Sequence, residues 1–156
     1  MAAIETIADG KDIEQMINVG AKVGTGKTNL WGDVIVVQAL LLYYKSRYDF
    51  AYGWEVTPSG RPDGSHTAQL DRVVKAYQRH INRTTQARLT EDGLISKSKG
   101  TAEWKPGKRW TIVQLNYSCN YAYRADPSST GTDYIVDVRA KYPEVDWALA
   151  ALPLPF

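Results

Sequence analysis

The sequence predicts a mainly α-helical domain with a short β element near its C-terminal end. Three observations carry this. Two segments have helix-forming patterns, Asp33 to Tyr44 (DVIVVQALLLYY) and His66 to Ile81 (HTAQLDRVVKAYQRHI). A turn-rich stretch with Arg61-Pro62-Asp63-Gly64 separates them. Beyond residue 96, Arg109 to Tyr117 and Tyr134 to Val138 carry the apolar and β-branched residues of a short β element. The chain has 156 residues, enough for one hydrophobic core, and 44% of them are hydrophobic.

Taken in order, Met1 to Asn18 suits a short helix or a lead-in segment, with Ile4, Ile7, Ile13, Met16 and Ile17 as its apolar residues. Gly20 to Gly32 is a glycine-rich loop. Asp33 is placed to cap the helix that follows. That helix is expected to run to about Tyr48 and is apolar on nearly every side, which makes it central. In the next helix Leu70, Val73, Val74, Tyr77 and Ile81 share one face, with Ser65 or Thr67 as its cap. Asp92-Gly93 is a turn, and Lys97 to Lys108 reads as a polar loop. Arg109 to Tyr117 reads as a strand or a short helix, Tyr117 to Asp133 as a polar loop and Tyr134 to Val138 as a strand. Glu144 to Ala151 is a short helix closed by Pro153 and Pro155. Val37-Gln38 and Tyr77-Gln78 are the one likeness between the two long helices.

Charge and motifs exclude several functions. With 19 Lys and Arg against 17 Asp and Glu, the net charge is +2, too balanced to argue for a nucleic-acid partner. No apolar run is long enough to span a membrane. The N-terminus lacks the basic and apolar regions of a signal peptide, so synthesis in the cytoplasm and release by a leaderless route or by lysis is expected. The single cysteine, Cys119, reads as a buried, inert residue and forms no internal disulfide.

The segment Ala21 to Thr28 (AKVGTGKT) fits a relaxed phosphate-binding loop, which would put Lys27 on the terminal phosphates and Thr28 on magnesium. Such a loop needs a buried strand before it and a helix starting at its last glycine. Here Asn29 to Gly32 intervene before the helix, so a structural loop is the better reading. His66 and His80 lie fourteen positions apart, about four helical turns, and cannot share a metal ion. No metal site, cofactor or catalytic constellation is expected.

The residues that remain resemble a known family. Ile17-Asn18-Val19-Gly20, Asn29, and Asp33-Val34 followed by Val37-Gln38-Ala39-Leu40-Leu41 resemble the first part of peptidoglycan-binding-like domains. Asp63-Gly64, Thr67 and Val74-Lys75-Ala76-Tyr77-Gln78 resemble the second part, and Asp92-Gly93-Leu94-Ile95 the closing turn. The resemblance covers residues 17–95. It departs from the family at Ser65-His66, where a Gly-Pro is usual, and leaves 96–156 as an extension without a counterpart. It implies a small helical core and non-catalytic binding of peptidoglycan or its fragments. Ten Tyr and five Trp against two Phe suit stacking on sugars. On this reading Tyr52, Trp54, Arg61 and Asp63, on the loop bordering the helix pair, are the ligand-binding residues, with Arg61 meeting a carboxylate. The alternatives are a protein-interaction adaptor of a phage or secretion particle, and a wall-active enzyme with its residues in 96–156.

Overall fold

The computed structural model describes residues 1–150, so Ala151, Pro153 and Pro155, expected to close the last helix, lie outside the described residues. Among the described residues five helices surround one continuous cluster of buried side chains, with two small hairpins and one isolated β-bridge as the β structure. The architecture is therefore mainly α with short β elements.

The chain begins as an antiparallel hairpin of β1 (Ala3–Thr6) and β2 (Gln15–Asn18), with Ile4 opposite Ile17 and Glu5 opposite Met16. The helix or lead-in segment expected there is thus a strand pair. Met16 and Ile17 are buried at its base.

The central helix, α1, spans Trp31–Lys45. Val34 to Leu41 are all buried, as expected of a helix apolar on every side. It starts two residues before Asp33 and ends three before Tyr48. Asp33 is not its cap. It lies in the first turn, and its carboxylate turns back to accept the Gly20 and Ala21 N–H groups at 2.8 and 2.9 Å. The amphipathic helix α2 spans Ala68–Thr84, and Thr67 caps it by accepting from the Leu70 N–H. Its buried face is Leu70, Val73, Val74, Tyr77 and Ile81, as the spacing predicts.

Beyond residue 96 the structure departs most from the sequence reading. The strand pair β3 (Glu103–Lys105) and β4 (Lys108–Arg109) lies within the expected loop. Arg109 to Tyr117 opens a fifteen-residue helix, α3 (Thr111–Ala125), which continues through half of the expected polar loop. Tyr134 to Val138 belongs to helix α4 (Tyr134–Lys141), whose Asp133 cap accepts from the Val136 N–H. Helix α5 (Glu144–Leu149) follows, where a helix was expected.

These later helices complete the core. The neighbours of α1 are chiefly α3 and α5, so the buried faces of α1 and α2 form only part of the core. The α2 helix reaches α1 through an aromatic layer, with Tyr77 edge-on to Tyr44 at 5.8 Å and to Phe50 at 5.4 Å. Its hydroxyl pairs with the Ser118 Oγ of α3 at 2.7 Å. Ile112, Leu115, Val138 and Val145 belong to the same buried cluster, so residues 96–150 are part of the fold rather than an appendage.

Candidate functional site

The two Gln residues of the helices are buried and perform one job twice. In α1, the Gln38 Oε1 accepts from the Asp63 and Gly64 N–H groups at 2.9 and 2.8 Å, while its Nε2 donates to the Asp63 Oδ1 and the Ser65 carbonyl. In α2, the Gln78 Oε1 accepts from the Gly93 N–H at 2.8 Å, while its Nε2 donates to the Asp92 Oδ1, the Leu94 carbonyl and the Thr111 Oγ1. Each amide therefore clamps an Asp-Gly turn. The glycines are required: Gly64 and Gly93 have φ of +75° and +73°, and a Cβ on Gly64 would run into the Trp31 indole. The likeness between the two helices, which in sequence amounts to a dipeptide, is a repeated structural unit.

The four residues read as ligand-binding fall into two groups. Tyr52 is 87% exposed and Trp54 40%, with the Arg72 guanidinium 5.2 Å from the Trp54 ring. Arg61 is engaged within the chain. Its guanidinium meets the Glu144 carboxylate through two bonds of 3.0 and 2.6 Å, donates to the Lys141 carbonyl and covers the Tyr142 ring. The bidentate carboxylate expected of a ligand is supplied by α5. Asp63 serves Gln38 and the Ser65 N–H. The structure thus leaves Tyr52 and Trp54 at the surface and ties Arg61 and Asp63 into the fold. None of the four lines either of the two larger clefts.

The larger of these, about 870 Å³, lies between the C-terminal half of α2 and α3. Tyr44, Tyr48, Tyr117 and Tyr121 form its aromatic wall, and His80, Asn120, Arg109 and Arg124 its polar one. Tyr48 and Tyr121 stand 5.7 Å apart, and Tyr121 is 64% exposed. Arg109 lies over the Tyr117 ring at 4.8 Å and donates to the Gln114 Oε1. The guanidinium of Arg124 has no hydrogen-bond or ion-pair partner among the described residues, so it is free to meet an anionic group. Burial pushes the Tyr44 hydroxyl up to about 12, so at neutral pH it is a proton donor or acceptor and not an anion. It pairs with His80 Nε2 at 3.0 Å, and burial, assisted by Arg83, holds that imidazole below its ordinary value. The cleft thus presents ring faces, amide and hydroxyl groups, a neutral imidazole, two cations and, at its edge, the Asp12 carboxylate. Tyr pairs recur at i, i+4, Tyr44 with Tyr48 across the C-terminal end of α1 and Tyr117 with Tyr121 within α3. That spacing was the signal available in the sequence, and it was hidden because Tyr117 to Asp133 reads as a loop.

Cys119 is fully buried, its thiol donates to the Leu40 carbonyl, and burial pushes its pKa well up. His66 pairs with Asp71, which Thr25 also meets, so the two histidines have separate partners. Among the described residues no group of three His, Cys, Asp or Glu side chains could hold a metal ion, and no helix is long and apolar enough to cross a membrane.

The glycine-rich loop is closed on itself. Asn29, at φ +50°, accepts from the Gly24 N–H and donates to the Gly24 and Lys27 carbonyls. The carboxylate of Asp33 takes the N–H groups at Gly20 and Ala21. A phosphate would compete with the chain's own acceptors for these donors, which supports a structural role.

No family model, curated protein or solved structure matches the chain.

Proposed function

We propose that this chain is a non-catalytic module that recognises bacterial cell-wall peptidoglycan, with the wall fragment lying in the cleft between α2 and α3. The observation that carries the reading is the make-up of that cleft: tyrosine rings beside two guanidinium groups, Asn120 and Gln114. Tyrosine faces suit the C–H faces of a glycan, and guanidinium groups suit the carboxylates of lactyl and stem-peptide groups. The Asp-Gly turns held by Gln38 and Gln78 add support, because they give the residues behind the family resemblance one shared architectural role.

The test is co-sedimentation with purified sacculi. Wild-type protein is expected to pellet with them, and Tyr121→Ala is expected to weaken binding by roughly thirtyfold, the effect of losing a central aromatic anchor worth about 2 kcal/mol. Trp54→Ala examines the inter-helix loop in the same assay. Loss of binding there, with Tyr121→Ala unaffected, moves the site to Tyr52 and Trp54. Failure of the wild-type protein to bind sacculi of several chemotypes overturns the wall reading.

A second reading, a protein-interaction adaptor, is favoured by a different surface. Trp31 and Trp147 flank the close contact of Gly32 with Ala148 and are 46% and 62% exposed. Large exposed indoles are common anchors of protein interfaces. Trp147→Ala should abolish capture of a protein partner while leaving sedimentation with sacculi unchanged.

A further inference from the structure

A second cleft of about 570 Å³ opens on the side of the molecule where β3–β4 meets the start of α3. Distant segments converge to make it. An isolated antiparallel bridge joins Val23 to Ile95 and brings Lys22 beside the Thr90–Lys99 segment. Asn18 then clamps Ser98 through both its backbone groups, at 3.1 and 2.9 Å. Ser98 is buried by this clamp, so Lys97 and Lys99 flank it as exposed side chains at the cleft.

The cleft is electropositive. Lys22, Lys97 and Lys99 have no ion-pair partner among the described residues, and Arg109 forms the far wall. Asp92 is the one carboxylate in the lining, and its Oδ1 is committed to Gln78 and the Leu94 N–H. The fifteen-residue helix α3 starts at this wall, with no side-chain cap and no acidic residue in its first turn. Its N-terminus therefore adds an unopposed positive end. The Trp110 indole N–H, on the residue before α3, is buried without an acceptor among the described residues. Thr111 Oγ1 accepts from Gln78, which leaves the hydroxyl proton free to be donated.

Beside the Thr111 hydroxyl stands Trp104, 40% exposed and 6.1 Å from Trp110. A bare inorganic anion would leave these rings unused. A nucleic-acid strand stacks its bases on successive open aromatic faces. Here Lys105 and Lys108 already stand 4.3 and 5.5 Å from the Trp104 ring, and Trp110 is half-buried. Trp104, 40% exposed, is therefore one partly open ring and not a row of them, which suits a single sugar better than successive bases.

We propose that this cleft binds a phosphate-bearing saccharide, its phosphate held by Lys22, Lys97, Lys99 and the start of α3, and its sugar against Trp104. The site shares only Arg109 with the tyrosine cleft, and that guanidinium is engaged there by Gln114 and Tyr117, so the proposal does not rest on the peptidoglycan reading.

The test follows the five indole N–H resonances of the full, ¹⁵N-labelled chain during titration. Glucose 6-phosphate is expected to shift the Trp104 and Trp110 signals saturably, with half-saturation on the order of millimolar. Glucose at the same concentrations should leave them in place, and inorganic phosphate should bind several-fold more weakly. The double variant Lys97→Glu, Lys99→Glu alters exposed side chains only. It should weaken glucose 6-phosphate by about tenfold or more, with circular dichroism and sedimentation with sacculi unchanged. The proposal is overturned by no saturable shift of either indole up to about 50 mM, far above any specific affinity. Equal affinity for inorganic phosphate and glucose 6-phosphate would also overturn it, as would tighter binding of an oligothymidylate than of the sugar phosphate.

Discussion

Replacing Gln78 by Leu tests the structural unit on which the fold depends. The substitution keeps the volume and removes the amide. Four partners lose their bond: the Gly93 N–H, the Leu94 carbonyl, the Asp92 carboxylate and the Thr111 hydroxyl. The Asp92 oxygen still has the Leu94 N–H, and exposed groups can turn to water. The Gly93 N–H is the costly one, because its bond to Gln78 is buried and water does not replace it. A buried donor without a partner costs about 1–3 kcal/mol, and each weaker contact adds about 0.5–1 kcal/mol. The expected loss is therefore about 3–4 kcal/mol. Urea unfolding followed by tryptophan fluorescence should show the midpoint falling by roughly 1.5 M, for a slope of about 2–3 kcal/mol/M. Gln69→Ala is the control, since Gln69 makes one exposed bond to the Glu55 carbonyl and should cost under about 0.5 kcal/mol. A loss below about 1 kcal/mol for Gln78→Leu would refute the idea that the clamp holds the turn.

Other consequences can be measured alongside. Val73 is fully buried on α2, so Val73→Asp should yield unfolded or aggregated protein, and a soluble variant with unchanged melting would contradict the packing. Lys27→Ala should leave the melting temperature unchanged and reveal no lost function, whereas magnesium-dependent nucleotide binding that this change abolishes would restore the phosphate-loop reading. Burial pushes the Asp137 carboxyl up, but the Tyr43 hydroxyl at 2.6 Å, Thr130 and Lys141 outweigh it and hold the group below its ordinary value. Its stabilising effect is present above the unfolded carboxylate pKa and fades as pH falls through the lower folded one. Tyr43→Phe should flatten this acid limb and cost about 1.5–3 kcal/mol at neutral pH, read from urea curves across pH. The lowered His80 acts in the same direction nearer neutrality, with stability falling as pH drops below the ordinary histidine value, a step that His80→Gln should remove.

The parts of the fold legible in the sequence are those where one force dominates. In α2 the apolar residues recur on one face and the Thr67 cap precedes them. In α1 an unbroken apolar run needs no periodicity to announce a central helix. The α3 helix defeats pattern reading because it buries polar groups that have partners elsewhere in the chain. Asn116 accepts from the Ile17 N–H and donates to the Ile17 carbonyl, tying α3 to β2 across 99 positions. Thr111, Gln114 and Ser118 are buried on the same helix, which breaks its apolar stripe. In α4 the β-branched run Ile135-Val136 imitates a strand, and the decisive signal was the Asp133 cap. The same blindness hid the tyrosine cleft, whose second wall is α3. Arg61 was legible as a bidentate partner for a carboxylate, but its partner is Glu144, eighty-three positions away.

Glutamine at positions 38 and 78 is required by the chemistry of the turns it serves. Each site offers at least one N–H that needs an acceptor, and carbonyl or carboxylate oxygens that need a donor. An amide meets both needs with one planar group. A glutamate in its place would set its charge against Asp63 or Asp92, and a leucine would leave the glycine N–H unmet. The turns are fastened from inside, by side chains that solvent does not reach. Gln38 holds the base of the loop that exposes Tyr52 and Trp54. Gln78 joins the Asp92-Gly93 turn to the start of α3, and so fixes the relative position of two walls of the lysine-rich cleft. Gln78→Leu should then lower affinity for glucose 6-phosphate even at temperatures where the variant stays folded. Gln38→Leu, which disturbs the other turn, should not. Equal affinity in both variants would separate the clamp from the site and leave it with an architectural role alone.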